Sequence, residues 1–402
     1  MKAQHASVLS DDAGVLASLQ QISGERRLGQ QREPKWFHPF PARMPLAIAT
    51  HFIRSLTTAD AVVLDPMVGS GSTLVAARRL NRTAIGVDRD HLAVRIARCA
   101  SQTFSSDSLD RLRATVLERG QKLFDCCTFR LPDVRGELPE EDQEFVKYWF
   151  PVRSQRQLFA VAAAIDELKG GAMRDFAWVV FSSLIIAKSA GASYALDISR
   201  SRPHKRNDKP IIAPFDAWAE RFRSSVARLP FLDEPSAARV DVCHGDAREL
   251  SVADASVDFV LTSPPYRNAI DYLLCHKFSL VWMGHRLAEL RELRGTMIGT
   301  ERGLWSLDGL PAELEHRLER ADAEAQQVAL VRRYLSDMRK LLAELRRVLR
   351  PGGLCLLVVG PTMVNLRKSD AADVFDELGK AEGLVPSTRI SGDWLGCVCF
   401  PF

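Results

Sequence analysis

The sequence predicts an α/β fold built on a doubly wound, parallel sheet. Three observations predict it. A strand, a glycine turn, a helix and a second strand follow one another between residues 62 and 88. Further strand signals return after residue 239, and 46% of the 402 residues are hydrophobic against 26% charged. That balance suits a globular core and excludes disordered, collagen-like and coiled-coil chains. A chain of this length holds one large domain or two smaller ones. Lys and Arg number 54 against 50 for Asp and Glu, giving a formal charge of +4. This excess does not identify a nucleic-acid partner, which would have to be met by local basic patches.

Taken in order, residues 1–34 are polar and without a strong period, and read as a flexible leader. Order begins near Lys35, with an apolar helix over Pro45–Ile53. The strand Val62–Asp65, the helix Thr73–Leu80 and the strand Thr83–Asp88 follow. From Ser101 to about Ala238 the alternation stops. Amphipathic segments at Leu109–Phe124, Gln155–Leu168, Phe176–Lys188 and Ala217–Leu229 read as an inserted, mainly helical subdomain over residues 102–238. The insert splits the sheet domain into 35–101 and 239–402. Strand signals resume at Arg239–Cys243, Val257–Leu261, Leu354–Val359 and Trp394–Phe400. Pro311–Leu349, dense in Glu, Arg, Ala and Leu, stops at Pro351-Gly352-Gly353 before a strand.

The most apolar stretch, Phe176–Ala187, is shorter than the roughly 20 residues that span a bilayer, so it reads as a buried helix and no membrane partner is expected. The first residues, MKAQHASVLSDD, lack a cationic and apolar signal sequence. The eight cysteines show no C-x-x-C spacing. Reduced thiols and a cytoplasmic location are expected. Cys397 and Cys399 would share one face of a strand, where a place in the core is favoured over a zinc pair, and no metal is assigned.

The run VVLDPMVGSGSTLVAARRL places Asp65 at a strand end, then Gly69, Ser70 and Gly71, and opens a helix at Ser72 or Thr73. Glycines serve where backbone turns tightly and approaches a ligand, and the helix start offers unpaired N–H groups. Asp88 closes the next strand, where a carboxylate can accept both hydroxyls of a ribose. A phosphate loop would need a Lys before the Ser or Thr, and none is present. A dinucleotide fingerprint needs a third small residue where Leu74 stands. Asp65 suits instead a cationic ligand that also carries an amine, as S-adenosylmethionine does. The plainer reading, a βα turn shaped by Gly69 and Gly71 alone, leaves Asp65 and Asp88 unexplained.

Asp246 follows the strand at 239–243, placed to accept from an adenine amino group of the donor. Thr262, Ser263, Pro264, Pro265 and Tyr266 follow the next strand. Two prolines fix φ and make a rigid turn. Ser263 Oγ and the Pro264 carbonyl would accept the two N–H bonds of an exocyclic amine and free its lone pair. Tyr266 would stack on the base. The competing reading is a stiff loop with no further role.

Asp65-Pro66 with Gly69-Ser70-Gly71-Ser72-Thr73, then Asp88, Gly245-Asp246, Thr262-Ser263-Pro264-Pro265-Tyr266 and Arg350-Pro351-Gly352-Gly353, resemble the ordered motifs of the S-adenosylmethionine-dependent amino-group DNA methyltransferases. The upstream Phe37-His38-Pro39-Phe40-Pro41-Ala42-Arg43-Met44-Pro45 is similar to the segment that in this family closes over the methionine end of the cofactor. The resemblance covers roughly residues 35–100, 239–285 and 335–400, and not the insert. It implies a Rossmann-like methyltransferase sheet with S-adenosylmethionine held by Phe37, His38, Pro39, Asp65, Pro66, Gly69, Ser70, Gly71, Ser72, Thr73, Asp88, Asp246 and Thr262. Ser263, Pro264, Pro265 and Tyr266 are the implied catalytic residues.

In this family Ser-Pro-Pro-Tyr usually goes with cytosine N4 and Asp-Pro-Pro-Tyr with adenine N6, so Ser263 tips the expectation to N4-methylcytosine. Adenine N6 remains the alternative, as some enzymes with a serine there act on adenine. The Pro-Cys dipeptide of the C5-cytosine class is missing from the sequence. The insert falls before the Asp246 motif rather than directly before the Ser-Pro-Pro-Tyr turn. This departure leaves open the limits of the target-recognition region expected at 102–238.

The expected macromolecular partner is duplex DNA with its target base extruded, at a cost of a few kcal/mol. Phe40 or Trp36 would wall the base opposite Tyr266. The stretch 199–209 sets Arg200, Arg202, Lys205, Arg206 and Lys209 against Asp208 alone, and fits a phosphate backbone. Arg267 and Asn268, with Asp271, Tyr272, His276 and Lys277, lie close behind the Ser-Pro-Pro-Tyr turn and would order on DNA; His276 reads equally well as a packed helix histidine. RNA amines, a non-catalytic cofactor-binding subunit, a homodimer and a partner nuclease all stay open.

Overall fold

The computed structural model describes residues 35–41, 43–126, 138–186, 190–196, 203–265, 271–300, 309–321, 323–359, 371–384, 388–391 and 396–401. The leader expected at 1–34 lies outside them. In chain order, α1 (Leu46–Leu56) precedes β1 (Val62–Asp65), α2 (Ser72–Arg79), β2 (Thr83–Asp88) and α3 (His91–Ser101). The helices α4 (Ser106–Cys126), α5 (Glu140–Trp149), α6 (Val152–Asp166) and α7 (Ala172–Ile185) follow. A short ribbon, β3 (Ala195–Leu196) with β4 (His204–Lys205), leads to α8 (Pro214–Val226). Next come β5 (Val240–His244), β6 (Val257–Thr262), α9 (Tyr272–Leu280), α10 (Leu287–Thr296), α11 (Ala312–Glu319) and α12 (Ala325–Val348). The chain closes with β7 (Leu349–Val359), α13 (Ala371–Ala381), β8 (Thr388–Ser391) and β9 (Gly396–Pro401).

The main sheet has the order β5-β2-β1-β6-β7-β9-β8. The strands from β5 to β7 pair in parallel, as the predicted fold class requires, and β9 adds an antiparallel edge against both β7 and β8. The connection from β8 to β9 is too short for a parallel crossover, so the last strand must return against its neighbour. From β1 the chain steps outward to β2 and β5 and then crosses to β6 on the far side of β1. That reversal places a topological switch point between β1 and β6, where a crevice opens at the carboxyl ends of the strands.

Strand periodicity divides the core into two layers. Val63, Phe259, Leu261, Leu354, Leu356 and Val358 face one side and pack with α1, α2, α3, α6, α7 and α8. Leu64, Val260, Cys355, Leu357 and Val359 face the other and pack with α11, α12 and α13. The helix expected at Phe176–Lys188 forms as α7, with every residue from Asp175 to Ile185 buried. Asp175 receives Arg95 and Arg98 from α3. The helices of the insert extend the layer on one face of the sheet and share that layer's apolar interior. Among the described residues no helix is long and apolar enough to cross a membrane.

Gly86 lets α2 lie close on β2. A Cβ there would sit 2.8 Å from Leu74 Cδ1 and 2.9 Å from Val68 Cγ2, below van der Waals contact. Gly86→Ala should lower the urea midpoint, at a cost of about 1–3 kcal/mol for overpacking. An unchanged midpoint would show that the α2 turn can recede freely.

Candidate active site

At the switch point the structure holds a cavity of about 340 Å³, a size that suits a small-molecule ligand. Its walls come from the ends of β1, β2, β5 and β6. Because Leu64 stands level with Val260 in the parallel register, Asp65 and the residues after Thr262 open into the same space. Asp65, Pro66, Gly69, Ser70, Ser72, Thr73 and Asp88 line it together with Asp246, Ser263 and Pro265. The two halves predicted separately from sequence thus meet in one cleft.

Two carboxylates, buried Asp65 and half-buried Asp88, hold the turn after β1 in shape. Asp65 Oδ2 accepts from Thr73 Oγ1 at 2.6 Å and Oδ1 from Met67 N at 3.2 Å. Asp88 Oδ2 accepts from Gly69 N at 2.8 Å and Oδ1 from Asp90 N at 2.9 Å. Gly69 has φ +50° and Gly71 φ +85°, both in the left-handed region that favours glycine. A Cβ on Gly71 would lie 3.1 Å from the α3 backbone at Ala97, so this glycine, expected at the ligand, instead allows α2 and α3 to pack. Gly69 does border the cleft, against the Phe40 ring.

Burial pushes the Asp65 carboxyl up to about 6. It pushes Asp88 up to about 7, reinforced by the charges of Asp90 and Asp65. Asp90 is buried as well, but the His276 imidazole, 2.5 Å from Asp90 Oδ2, and the N–H groups of Leu92 and Ala93 outweigh that cost and hold it below the usual carboxylate range. His276 is thus a packed histidine with no access to DNA. Phe40 wedges between the Gly69 turn and α9, its ring 5.4 Å from Tyr272 and 5.5 Å from His276.

Several expected site residues stand elsewhere. Phe37 and His38 are buried beneath the cleft, where His38 Nε2 meets Ser182 Oγ at 3.1 Å, and burial drives the imidazole down to about 3. Pro39 is exposed. Phe40, Arg43 and Met44, further along the same segment, take their place on the wall. Asp246 borders the cavity, but all its lone pairs are engaged. Oδ1 accepts from Arg248 N and Nε, and Oδ2 from Arg248 Nη2 and from Arg89. It shapes the rim rather than offering a free acceptor to an adenine. Thr262 and Pro264 are buried behind the turn that Ser263 and Pro265 present.

Lys209 is only 5% exposed and donates to the Ala195 carbonyl, so it props the ribbon and cannot meet a phosphate. Lys205 is half-buried and Arg206 exposed. Arg200, Arg202, Tyr266, Arg267 and Asn268 lie outside the described residues. Among the described residues no His, Cys, Asp and Glu cluster suits a metal.

Sequence reasoning missed Arg89, Asp90, Arg294 and the run Met297 to Thr300, all on the cavity wall. Asp90 carries a readable signal, an N-cap aspartate before the apolar pattern of α3. The 297–300 wall carries none, because side chains distant in sequence position it. Arg248 holds the Thr296 carbonyl, Arg333 the Gly295 carbonyl, and Arg294 pairs with Asp271.

Residues 18–98 match the DNA methylase family N6_N4_Mtase. The match takes in α1, β1, α2, β2 and most of α3, the side of the cleft that carries Asp65 and Asp88, and supports the resemblance to amino-group DNA methyltransferases there. The type II methyltransferase M.ScaI of Streptomyces caespitosus is 33% identical over 67 residues, 16% of this chain and 22% of that protein. M2.LlaDCHI of Lactococcus lactis subsp. cremoris is 37% identical over 68 residues, 17% and 25% of the two chains. M.HindIII of Haemophilus influenzae is 40% identical over 65 residues, 16% and 20%. The aligned stretches span no more than a quarter of these relatives' length.

The raised Asp88 pKa fixes the sign of a pH effect. The folded side chain keeps its proton up to about pH 7, whereas the unfolded one releases it near ~3.9. The folded state binds more protons in that window, so this group's contribution to stability falls as pH rises through it. Asp88→Asn cannot ionise. Relative to wild type its unfolding free energy should improve between about pH 5 and about pH 8, on the order of 1 kcal/mol or more. A difference independent of pH in urea titrations would contradict the shift.

Proposed function

We propose that this protein transfers a methyl group from S-adenosylmethionine to an exocyclic amine of a DNA base, with cytosine N4 as the first candidate acceptor. One observation carries the reading: Asp65, the Gly69 turn and Asp88 share a single cavity wall with Ser263 and Pro265. A donor subsite and an amine-binding turn in one cleft suit direct transfer, for which the protein need supply mainly position and desolvation.

The residues present fit the cofactor. Asp65 and Asp88 bring acid groups to a site meant for a sulfonium and an ammonium, and Ser72 Oγ is a buried polar atom on this wall without a hydrogen-bond partner. S-adenosylmethionine, when bound, supplies an activated methyl. Asp88 would accept from the ribose hydroxyls, and the N-terminus of α2 would present its free N–H groups to the ligand. Ser263 Oγ and the Pro264 carbonyl would accept from the base amine, directing its lone pair toward the methyl. Tyr266 would stack on the extruded base, worth about 1–3 kcal/mol. The choice of Ser rather than Asp at 263 favours cytosine over adenine. Mass spectrometry of nucleosides from DNA incubated with the protein and donor tests this directly: N4-methylcytosine is expected, N6-methyladenine would move the assignment to the other amine, and unmodified DNA would end the reading.

Two substitutions separate the half-sites. Ser263→Ala should cut transfer by about 10²-fold or more while donor affinity, read by calorimetry, stays close to wild type. Equal loss of both would place Ser263 on the donor instead. Asp88→Ala should weaken donor binding by about tenfold or more, since it removes the acceptor for the ribose hydroxyls. Wild-type affinity there would contradict the ribose role.

A further inference from the structure

We infer that the β3–β4 ribbon and the C-terminal end of α5 form a grip for duplex DNA beside the cleft, with Lys205 on a backbone phosphate and Tyr148 against the adjoining sugar. This inference rests on the transfer reading above and gives its macromolecular substrate a docking surface. Lys205 Nζ lies 4.3 Å from the centroid of the Tyr148 ring and 5.2 Å from that of Tyr194. Two aromatic rings hold the ammonium, and no described carboxylate pairs with it. Arg206, its neighbour, is closed off by a bidentate pair with Asp208. Lys205 is thus a positioned cation with its charge unneutralised, complementary to a polyanion.

Tyr148 is 53% exposed and Val152, at the start of the next helix, 71%. They are the large hydrophobic side chains that the described surface leaves open, and exposed Arg153 stands beside them. An aromatic and an apolar contact flanked by cations match a sugar–phosphate backbone, which offers both apolar sugar faces and charge.

The platform is rigid. Tyr194 N donates to the Trp149 carbonyl at 2.8 Å, Arg206 N to the Tyr194 carbonyl at 2.9 Å, and Lys209 Nζ to the Ala195 carbonyl at 2.5 Å. It is also tied to the acceptor side. Trp149 and Phe145 of α5 pack on Phe278 of α9, with ring centroids 5.0 and 5.2 Å apart. Phe278 lies six residues into the helix that follows the Ser263 turn, a rise of about 9 Å at ~1.5 Å per residue. Tyr272, at the start of that helix, lines the cleft with Ser263, so the ribbon is joined to the cleft wall through α5 and α9.

The test is binding of a fluorescent duplex, measured by anisotropy over a series of salt concentrations, for wild type, Lys205→Met, Lys205→Arg, Tyr148→Ser and Tyr148→Phe. Lys205→Met should weaken binding about 3–10-fold and reduce the salt slope by about 1, and Lys205→Arg should restore both. Tyr148→Ser should weaken binding by a similar factor with its slope unchanged, and Tyr148→Phe should retain affinity. Wild-type affinity in both Lys205→Met and Tyr148→Ser, or an unchanged slope in Lys205→Met, overturns the grip. So does a loss seen only with an acidic polypeptide probe, which would mark a protein-docking face. Methyl transfer by wild type is measured in parallel. Transfer with variant-insensitive binding removes the grip alone, whereas variant-sensitive binding without transfer removes the enzymatic reading alone.

Discussion

The architecture of the cleft depends on one half-buried carboxylate, Asp88, which accepts at once from the amides of Gly69 and Asp90. Those bonds tie the turn after β1 to the start of α3 and so set where two helices begin. The cost is a carboxyl group kept out of water next to two others, visible in its raised proton affinity. Asp90 carries the constraint onward, since it caps α3 and accepts from His276 on α9. One chain of polar contacts thus runs from the Gly69 turn to α9, the helix that follows the Ser263 turn.

Such a chain makes the two half-sites mechanically dependent. Phe40 adds an apolar wedge between the same parts, touching the Gly69 turn on one side and Tyr272 and His276 on the other. The helix α9 is thereby fixed relative to the Gly69 turn, as the transfer proposed for this cleft would require. On the opposite rim, Arg248 links Asp246, Asp337 and the Thr296 carbonyl, so the 297–300 wall is set by charge pairing across three elements.

Much of the sheet was legible because burial on both faces leaves continuous apolar runs bounded by turn residues. β1 and β2 fall at the expected residues, and β5 and β6 within one. Of the helices missed, α3 and α13 do carry an amphipathic period, whereas α5 and α9 lack one for a physical reason. In α5 only Asp142 and Val146 are buried, and α9 is apolar on nearly every side because it lies between layers. The donor turn and the serine turn were readable as local motifs, since their chemistry is carried by contiguous residues. Engagement was not readable. Asp246 looks free in sequence and is saturated by two arginines, and Lys209 sits in a basic run yet folds back onto a carbonyl. These outcomes are decided by partners distant along the chain, which one sequence does not display.

The continuous apolar interior shared by the sheet and residues 102–238 bears on how such a chain could diversify. A self-contained module can be exchanged between relatives by recombination at its two ends. Here the segment contributes Phe159, Phe176, Phe181 and Trp178 to the same oil-like layer that backs the strands. A transplant would carry half of an interdigitated surface into a host with a different other half. Substitution in this segment is therefore easiest on the outward sides of those helices, while the inward sides change only in concert with the strands they cover.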